Sequence, residues 1–281
     1  MAGAGVAQTY GDWRERVSDL VGDCRREWGL RLGEPYAAGA AGYTVRAELP
    51  DGRPAVLKLI FPHRESENEA DALELWAGGG AVELLARDDE RHAMLIERCE
   101  PGTPLAELPQ GAALDVMVEL LPRLWKPAGE PFRPLADEAA WWSEHLQDAW
   151  NAAARPFEPR LLEAALDALR ALSGTQAEHV LLHQDLHARN VLAAQREPWL
   201  AIDPKPLVGE REFGIAALVR DFELGHSRRD VLHRLDRLSA ELGLDRERAR
   251  GWALGQTVAW SFESEFLDRH VETARWLSEA R

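Results

Sequence analysis

A chain of 281 residues with 33 Lys and Arg against 48 Asp and Glu has a formal net charge of −15. That balance argues against nonspecific binding to nucleic acid or an anionic membrane and favours a cationic partner. The length suits two lobes, and 46% hydrophobic residues with 11 Trp can fill their interior. Two cysteines, Cys24 and Cys99, form neither a disulfide framework nor a CxxC pair. The start, MAGAGVAQTYGDWRERVSDL, lacks the apolar core of a signal peptide, and no apolar run reaches the ~20 residues of a membrane helix. The expected compartment is a reducing cytoplasm.

In chain order, Trp13, Val17, Leu20, Val21, Cys24 and Trp28 recur at helical spacing over residues 10–29, with Gly29 as a stop. The period then changes. Residues 43–49 and 55–61 read as strands joined at the Asp51-Gly52 turn, with small residues from Ala37 to Gly42 just ahead of them. A charged helix is expected over 65–78, its buried side marked by Ala70, Leu73, Leu75 and Trp76. Residues 82–85 and 93–97 read as two more strands across a polar turn at 87–91, and 99–104 is a breaker-rich linker. Helices follow near 112–125, 136–153 and 158–173, then short strands, then helices over 212–225 and from 227 onward. The expected fold is therefore α+β, with a small β-rich N-terminal lobe at 1–98 and a larger helical lobe at 99–281. Only three of the basic residues are lysines: Lys58, Lys126 and Lys205. In so Arg-rich a chain, these mark positions that need a compact ammonium group.

The stretch LLHQDLHARNVLAAQREPWLAIDP, residues 181–204, gathers His183, Asp185, His187, Asn190 and Asp203. Residues 191–194 and 199–202 form a hairpin across a turn at 195–198. Asn190 precedes its first strand and Asp203 follows its second, so antiparallel pairing brings their Cα atoms to ~5 Å. Asp185 lies five residues before Asn190 and can fold back over the same point. Three oxygen donors suit a hard cation such as Mg²⁺. The order H-x-D-x-x-x-x-N followed by Asp is that of a kinase catalytic loop and its metal-binding Asp. In those roles Asp185 accepts the proton of the substrate hydroxyl, while Asn190 and Asp203 hold Mg²⁺ against the phosphates of ATP. Zinc on His183 and His187, four residues apart, is the competing metal, but a third soft ligand is missing nearby. In the purely structural alternative His183 only holds the loop through backbone hydrogen bonds, a role it can keep within the kinase reading.

The rest of an ATP site is found upstream. Gly39 and Gly42 bracket a small-residue loop that can lie over the phosphates. Lys58 sits mid-strand in Ala-Val-Leu-Lys-Leu-Ile, as a phosphate lysine does. Glu69 is the best placed of Glu65, Glu67, Glu69 and Glu74 to pair with it, one turn before the buried Leu73 and Trp76. The segment from Met94 through Glu97 to Cys99 leads into the linker and can offer backbone groups to adenine.

Taken together, HQDLHARN and the IDP that stands in place of DFG resemble the aminoglycoside phosphotransferase superfamily. Within it, the chain is most similar to the streptomycin 6-phosphotransferase and hydroxyurea phosphotransferase group. The resemblance is carried by Trp28-Gly29-Leu30 with Leu32-Gly33-Glu34-Pro35, by Val56-Leu57-Lys58, by Asn68-Glu69-Ala70-Asp71 with Leu75-Trp76, by Glu97-Arg98-Cys99-Glu100-Pro101-Gly102, and by Glu197-Pro198-Trp199-Leu200-Ala201-Ile202-Asp203-Pro204-Lys205-Pro206. It implies a bilobal eukaryotic-protein-kinase-like fold, ATP and Mg²⁺ as cofactors, and antibiotic inactivation by phosphorylation of a hydroxyl. Residue by residue it implies Asp185 as base, Asn190 and Asp203 as metal ligands, and Lys58 with Glu69 at the phosphates. Two positions depart from the superfamily: Gln184, where Gly is usual, and Arg189, where a small or acidic residue is common.

A polycationic acceptor needs an acidic, aromatic site. Asp137, Glu138 and Trp141 form one candidate cluster, and Trp260, Glu263 and Glu265 another. Another small hydroxylated metabolite or hydroxyurea is the alternative acceptor. A nucleotide-binding pseudokinase is a further alternative, although the full set of Lys58, Asp185, Asn190 and Asp203 argues against it. The chain is expected to act as a monomer or a homodimer.

Overall fold

The computed structural model describes residues 9–36, 42–262 and 264–280. The chain opens with α1 (Tyr10–Glu27), started by a capping box in which Thr9 and Asp12 satisfy each other's backbone N–H groups. A five-stranded antiparallel sheet follows, in the order β1-β2-β3-β5-β4. Its strands are β1 (Arg31–Pro35), β2 (Gly42–Glu48), β3 (Pro54–Ile60), β4 (Leu84–Asp88) and β5 (Ala93–Glu97). Between β3 and β4 lies α2 (Glu69–Trp76).

The alternation of β3 explains how the sheet is covered. Ala55, Leu57 and Leu59 face α1 and pack with Trp13, Val17 and Cys24. Val56 and Ile60 face the other way and join a core containing Leu73 and Trp76 of α2 and most of the later helices. Lys58 shares that second face, so the period of two aims its ammonium toward the rest of the molecule. Apolar packing is thus continuous beyond Glu97, where β5 ends.

The helical part holds α3 (Gln110–Leu124), α4 (Leu135–Ala152), α5 (Pro159–Ser173), α6 (Ala216–Val219), α7 (Arg228–Leu242), α8 (Arg246–Ser261) and α9 (Leu267–Glu279). Helix α8 is the central one and is buried on nearly every side. A Cβ at Gly255 would lie 2.6 Å from Leu169 and one at Gly251 2.9 Å from Leu172, so two small residues four apart let α8 approach α5 closely. A small sheet joins β6 (Arg133–Pro134), β10 (Leu207–Gly209) and β7 (Val180–Leu182).

The hairpin of β8 (Val191–Ala193) and β9 (Trp199–Ala201) is stitched to both halves. Val82 N–H donates to Ala201 O, and Ala201 N–H to Gly80 O, at 3.0 and 2.9 Å. On its other edge, Gly102 N–H donates to Ala193 O and Ala193 N–H to Thr103 O. Arg196, at the hairpin turn, completes the attachment, donating to Glu97, to Gly78 O at 2.7 Å and to Ala81 O at 2.9 Å.

Several elements differ from expectation. The helix expected over 65–78 begins only at Glu69, because Asn68 takes a left-handed conformation at φ 64°. The strand expected at 82–85 forms at Leu84–Asp88, since Val82 spends its N–H on Ala201. The helix expected over 212–225 is a 3-10 turn, Arg211–Ile215, followed by the four residues of α6. There the buried guanidinium of Arg234 takes the carbonyls of Val219, Leu224 and Gly225, the first of which a helix reaching residue 225 would have used internally. Strands β1, β6, β7 and β10 were not anticipated. They are two to five residues long, and β1 and β6 contain prolines. Among the described residues no helix is long and apolar enough to cross a membrane.

Candidate active site

A cleft of about 970 Å³ opens between the sheet and the helical part, lined by Lys58, Glu69, Asp185, Asp203 and Lys205, among others. Lys58 Nζ lies 2.6 and 2.8 Å from the two oxygens of Glu69 and also contacts Asp203 Oδ1. The lysine side chain is only 12% exposed and that of Glu69 4%. Burial pushes the Glu69 carboxyl up to about 7, whereas Glu69 and Asp203 hold Lys58 above its ordinary value. The two effects oppose each other at one contact. An ammonium group on both carboxylate oxygens favours the ion pair. Asp203 is held below the usual carboxylate range, chiefly by the charge of Lys58.

The HQDLHARN stretch is built on buried supports. His183 stacks on Trp76, and its Nε2 lies 2.9 Å from Ile202 O, so the imidazole ties β7 to the end of the hairpin. Burial brings its pKa down to about 4, so it is neutral. Gln184 has φ 64°, a conformation a side chain makes costly and glycine does not. That accounts for glycine as the usual residue at this position of the superfamily. Gln184 O accepts from Gln256 Nε2 at 3.1 Å, while its own buried amide finds no hydrogen-bond partner among the described residues.

Asp221, the residue after Arg220, anchors the loop from behind. Its Oδ2 accepts from Ala188 N–H at 2.7 Å and its Oδ1 from Glu223 N–H at 3.0 Å. Arg189 points to Glu223 at the edge of the cleft, with Nε 2.7 Å from the carboxylate.

Asn190 Nδ2 donates to the Asp185 carbonyl at 2.9 Å, which leaves the amide oxygen as an acceptor for a cation. Ile202 N–H donates to Asn190 O at 2.9 Å, so Asp203 stands one residue past the hairpin's pairing, also left-handed at φ 61°. An amide oxygen and a half-exposed carboxylate kept ionised by Lys58 are hard oxygen donors of the kind Mg²⁺ takes, so the residues fit that ion. Zinc does not fit. The ring nitrogens Nε2 of His183 and Nδ1 of His187 are engaged with backbone, and among the described residues no three His, Cys, Asp or Glu groups could hold a metal.

The carboxylate of Asp185 faces three cationic or ionisable groups. Lys205 Nζ is 3.5 Å from Oδ2; Arg220 Nη2 and His187 Nε2 are each 3.9 Å from Oδ1. Sequence reasoning missed Arg220 and Asp221 and gave Lys205 no role, although the scarcity of lysine pointed to it. Of the three lysines, Lys58 and Lys205 line the cleft, while Lys126 donates to Leu75 O and Trp76 O at the C-terminal end of α2.

The expected adenine and acceptor residues fare unevenly. Glu97 is committed to Arg196 and to Glu83 N–H, and Cys99 is a part-buried thiol pushed up to about 12. Neither side chain lines the cleft, whereas Gly42 does. Gly39 and Glu263 lie outside the described residues. Glu138, Trp141 and Trp260 line the cleft, but Asp137 and Glu265 are exposed away from it. Glu138 is buried and lies 2.5 Å from Arg64 and 2.8 Å from Arg133. The Arg64 guanidinium lies 4.6 Å from the Trp141 ring, and Arg220 4.3 Å from the Trp260 ring. The two candidate acceptor clusters are therefore already neutralised or covered by the chain's own arginines.

A sheet-and-helix pair of lobes, with a buried Lys–Glu pair opposite two acidic groups and an amide on a catalytic loop, defines a small-molecule kinase of protein-kinase-like fold. The fold matches that of the choline kinase LicA from Streptococcus pneumoniae, with a TM-score of 0.66 and 13% identity over 95% of this chain and all of that one. The chain belongs to the family described as aminoglycoside/hydroxyurea antibiotic resistance kinase, whose pattern matches residues 33–265. It is 40% identical over 253 residues to a hydroxyurea phosphotransferase of Kitasatospora aureofaciens, covering 87% of this chain and 73% of the relative. It is 37% identical over 274 residues to a streptomycin 6-kinase of Streptomyces glaucescens, covering 92% and 89%. The chain is accordingly a phosphotransferase of that family.

Proposed function

We propose that the chain transfers the γ-phosphoryl group of ATP to a hydroxyl of an aminoglycoside or aminocyclitol of the streptomycin type, in the cytoplasm and as a monomer. The observation that carries this reading is the convergence of Lys58, Asp203 and Asp185 on one cleft from three separate parts of the chain. Lobes divided at residues 98 and 99 close on the nucleotide. Lys58, held by Glu69, binds the α- and β-phosphates, Gly42 lies beside them, and the backbone from Glu97 to Cys99 receives adenine. Asn190 and Asp203 would hold Mg²⁺, which would supply charge neutralisation at the phosphate oxygens. Asp185 takes the proton of the acceptor hydroxyl. That oxygen forms the new bond to phosphorus as the bond to ADP breaks. Such transfer needs positioning and charge neutralisation more than covalent help.

The acids open to a cationic acceptor are Glu65 and Glu223, now paired with Lys205 and Arg189. A polycation would have to exchange with those partners. This favours hydroxyurea as a second reading, because a small neutral acceptor leaves the internal pairs in place. ADP release measured against streptomycin, hydroxyurea and choline tests both. Streptomycin alone stimulating turnover supports the first reading. Hydroxyurea alone doing so replaces it with the second, and no stimulation by either refutes both.

A further inference from the structure

Two cations at the acceptor side of the cleft have no part in the chemical step above, although Lys205 also pairs with Glu65 at 3.0 Å. Lys205 and Arg220 stand on different segments, and each segment is fastened to the catalytic loop. Lys205 lies between Pro204 and Pro206, and its backbone N–H donates to His183 O at 3.0 Å, two residues before Asp185. Arg220 precedes Asp221, whose carboxylate accepts the Ala188 N–H, and its Nη1 donates to Gln256 Oε1 at 2.5 Å. Gln256 in turn donates to Gln184 O, so one buried side chain of α8 holds both the arginine and the loop. The Lys205 ammonium and the Arg220 guanidinium lie 4.6 and 4.3 Å from the centre of the Trp260 ring, which fixes where each head group sits. They approach different oxygens of Asp185, Lys205 that of Oδ2 and Arg220 that of Oδ1.

Two positively charged head groups lie within 4 Å of the Asp185 carboxylate, so both also border the space that an acceptor bonded to it would occupy. Arg220 is 7% exposed and its side chain donates to Gln256; burial brings it down to about 10 while the charges of Asp185 and Asp221 act against that, so it remains charged. An acceptor oxygen bonded to Asp185 sits ~3 Å from it, with the phosphorus ~3 Å further on. Head groups 3.5–3.9 Å from the carboxylate are within reach of the oxygens of that phosphoryl group.

We infer that Lys205 and Arg220 form a cationic clamp on the phosphoryl group in transit, neutralising its oxygens from the acceptor side. The inference rests on Asp185 as the acceptor's base. In the step, the acceptor oxygen bonds to phosphorus, the phosphorus–oxygen bond to ADP breaks with its electron pair leaving on ADP, and the hydroxyl proton passes to Asp185. The clamp acts on the negative charge carried by the three equatorial oxygens, as a positioned arginine or oxyanion donor does elsewhere.

The test is made on the full chain with Lys205→Met, Lys205→Arg, Arg220→Met and Asp185→Ala. Turnover with streptomycin or hydroxyurea, whichever is an acceptor, is measured alongside affinity for Mg-ADP alone and for Mg-ADP with aluminium fluoride, a planar mimic of the phosphoryl in transit. Lys205→Met and Arg220→Met are expected to lower kcat by about 10²-fold or more. They should lose the fluoride-dependent gain in ADP affinity, with ADP affinity itself within about twofold, and Lys205→Arg should recover part of both. A raised acceptor KM at unchanged kcat would overturn the clamp, because it would make these groups acceptor-binding only. So would a fall in kcat with full fluoride-dependent binding, the signature of a role in holding Asp185 alone. If Arg220→Met does not fold, Lys205→Met decides. Full turnover in Asp185→Ala would instead remove the base assignment, a result distinct from any outcome at Lys205.

Discussion

Replacing Asp221 separates a carboxylate that anchors the catalytic loop from one that merely lies nearby. Asp221 is 5% exposed and Ala188, whose N–H it accepts at 2.7 Å, is fully buried, so water cannot substitute. Losing that charge-assisted bond costs about 1.5–3 kcal/mol, and the second bond, to Glu223 N–H, about 1 kcal/mol. Its charge also offsets the buried guanidinium groups of Arg220 and Arg234, both brought down to about 10 by burial. Asp221→Ala is therefore expected to destabilise by about 3–5 kcal/mol. Asp221→Asn keeps one acceptor oxygen and should cost about half as much. Thermal melting followed by circular dichroism reads this as a drop of about 10 °C for the alanine variant, with turnover falling in both because residues 188–190 are released. An alanine variant less than 1 kcal/mol down, or an asparagine variant as damaged as the alanine one, would refute the reasoning.

Lys58→Met should fold, because the buried Glu69 can take up a proton once its partner is gone, yet lose turnover by about 10²-fold or more; a melting curve and a kcat measurement decide it. His183 and His270 are both kept neutral, burial bringing each from 6.5 to about 4. Between those values the unfolded chain binds more protons than the folded one. Stability is thus complete above pH 6.5 and lost as pH falls, by up to about 1.4 kcal/mol per pH unit for each histidine; melting temperatures flat between pH 7 and 5 would contradict this. Arg196→Leu removes the contacts from the hairpin turn to Glu97, Gly78 and Ala81, and should raise the KM for ATP several-fold with a smaller effect on kcat, measurable by steady-state kinetics.

What the sequence made legible follows from period and spacing. The alternation around Lys58 gave both the strand and its cleft-facing side, and the helical spacing of Leu73 and Trp76 selected Glu69 among four acids. The hairpin between Asn190 and Asp203 was readable because a polar turn separates two apolar runs. The acceptor side was not legible. Glu138, Trp141 and Trp260 were found as acid and aromatic positions, but the arginines that cover them come from the 3-10 turn Arg64–Ser66, from β6 and from the end of α6, which no local pattern links to them. The irregular 220–227 segment was hidden for a similar reason. Two of its carbonyls, Leu224 O and Gly225 O, are taken by Arg234, a side chain that reads in sequence as one more surface charge of α7.

The central claim is that Asp185 serves the acceptor and the Lys58–Asp203 side serves the nucleotide. Asp185→Asn keeps the shape of the loop and removes only the base, so isothermal titration with Mg-ATP should give an affinity within about twofold of the parent while phosphorylation of the acceptor falls by about 10²–10⁴-fold. Unchanged phosphorylation, or loss of nucleotide binding in step with activity, would contradict it.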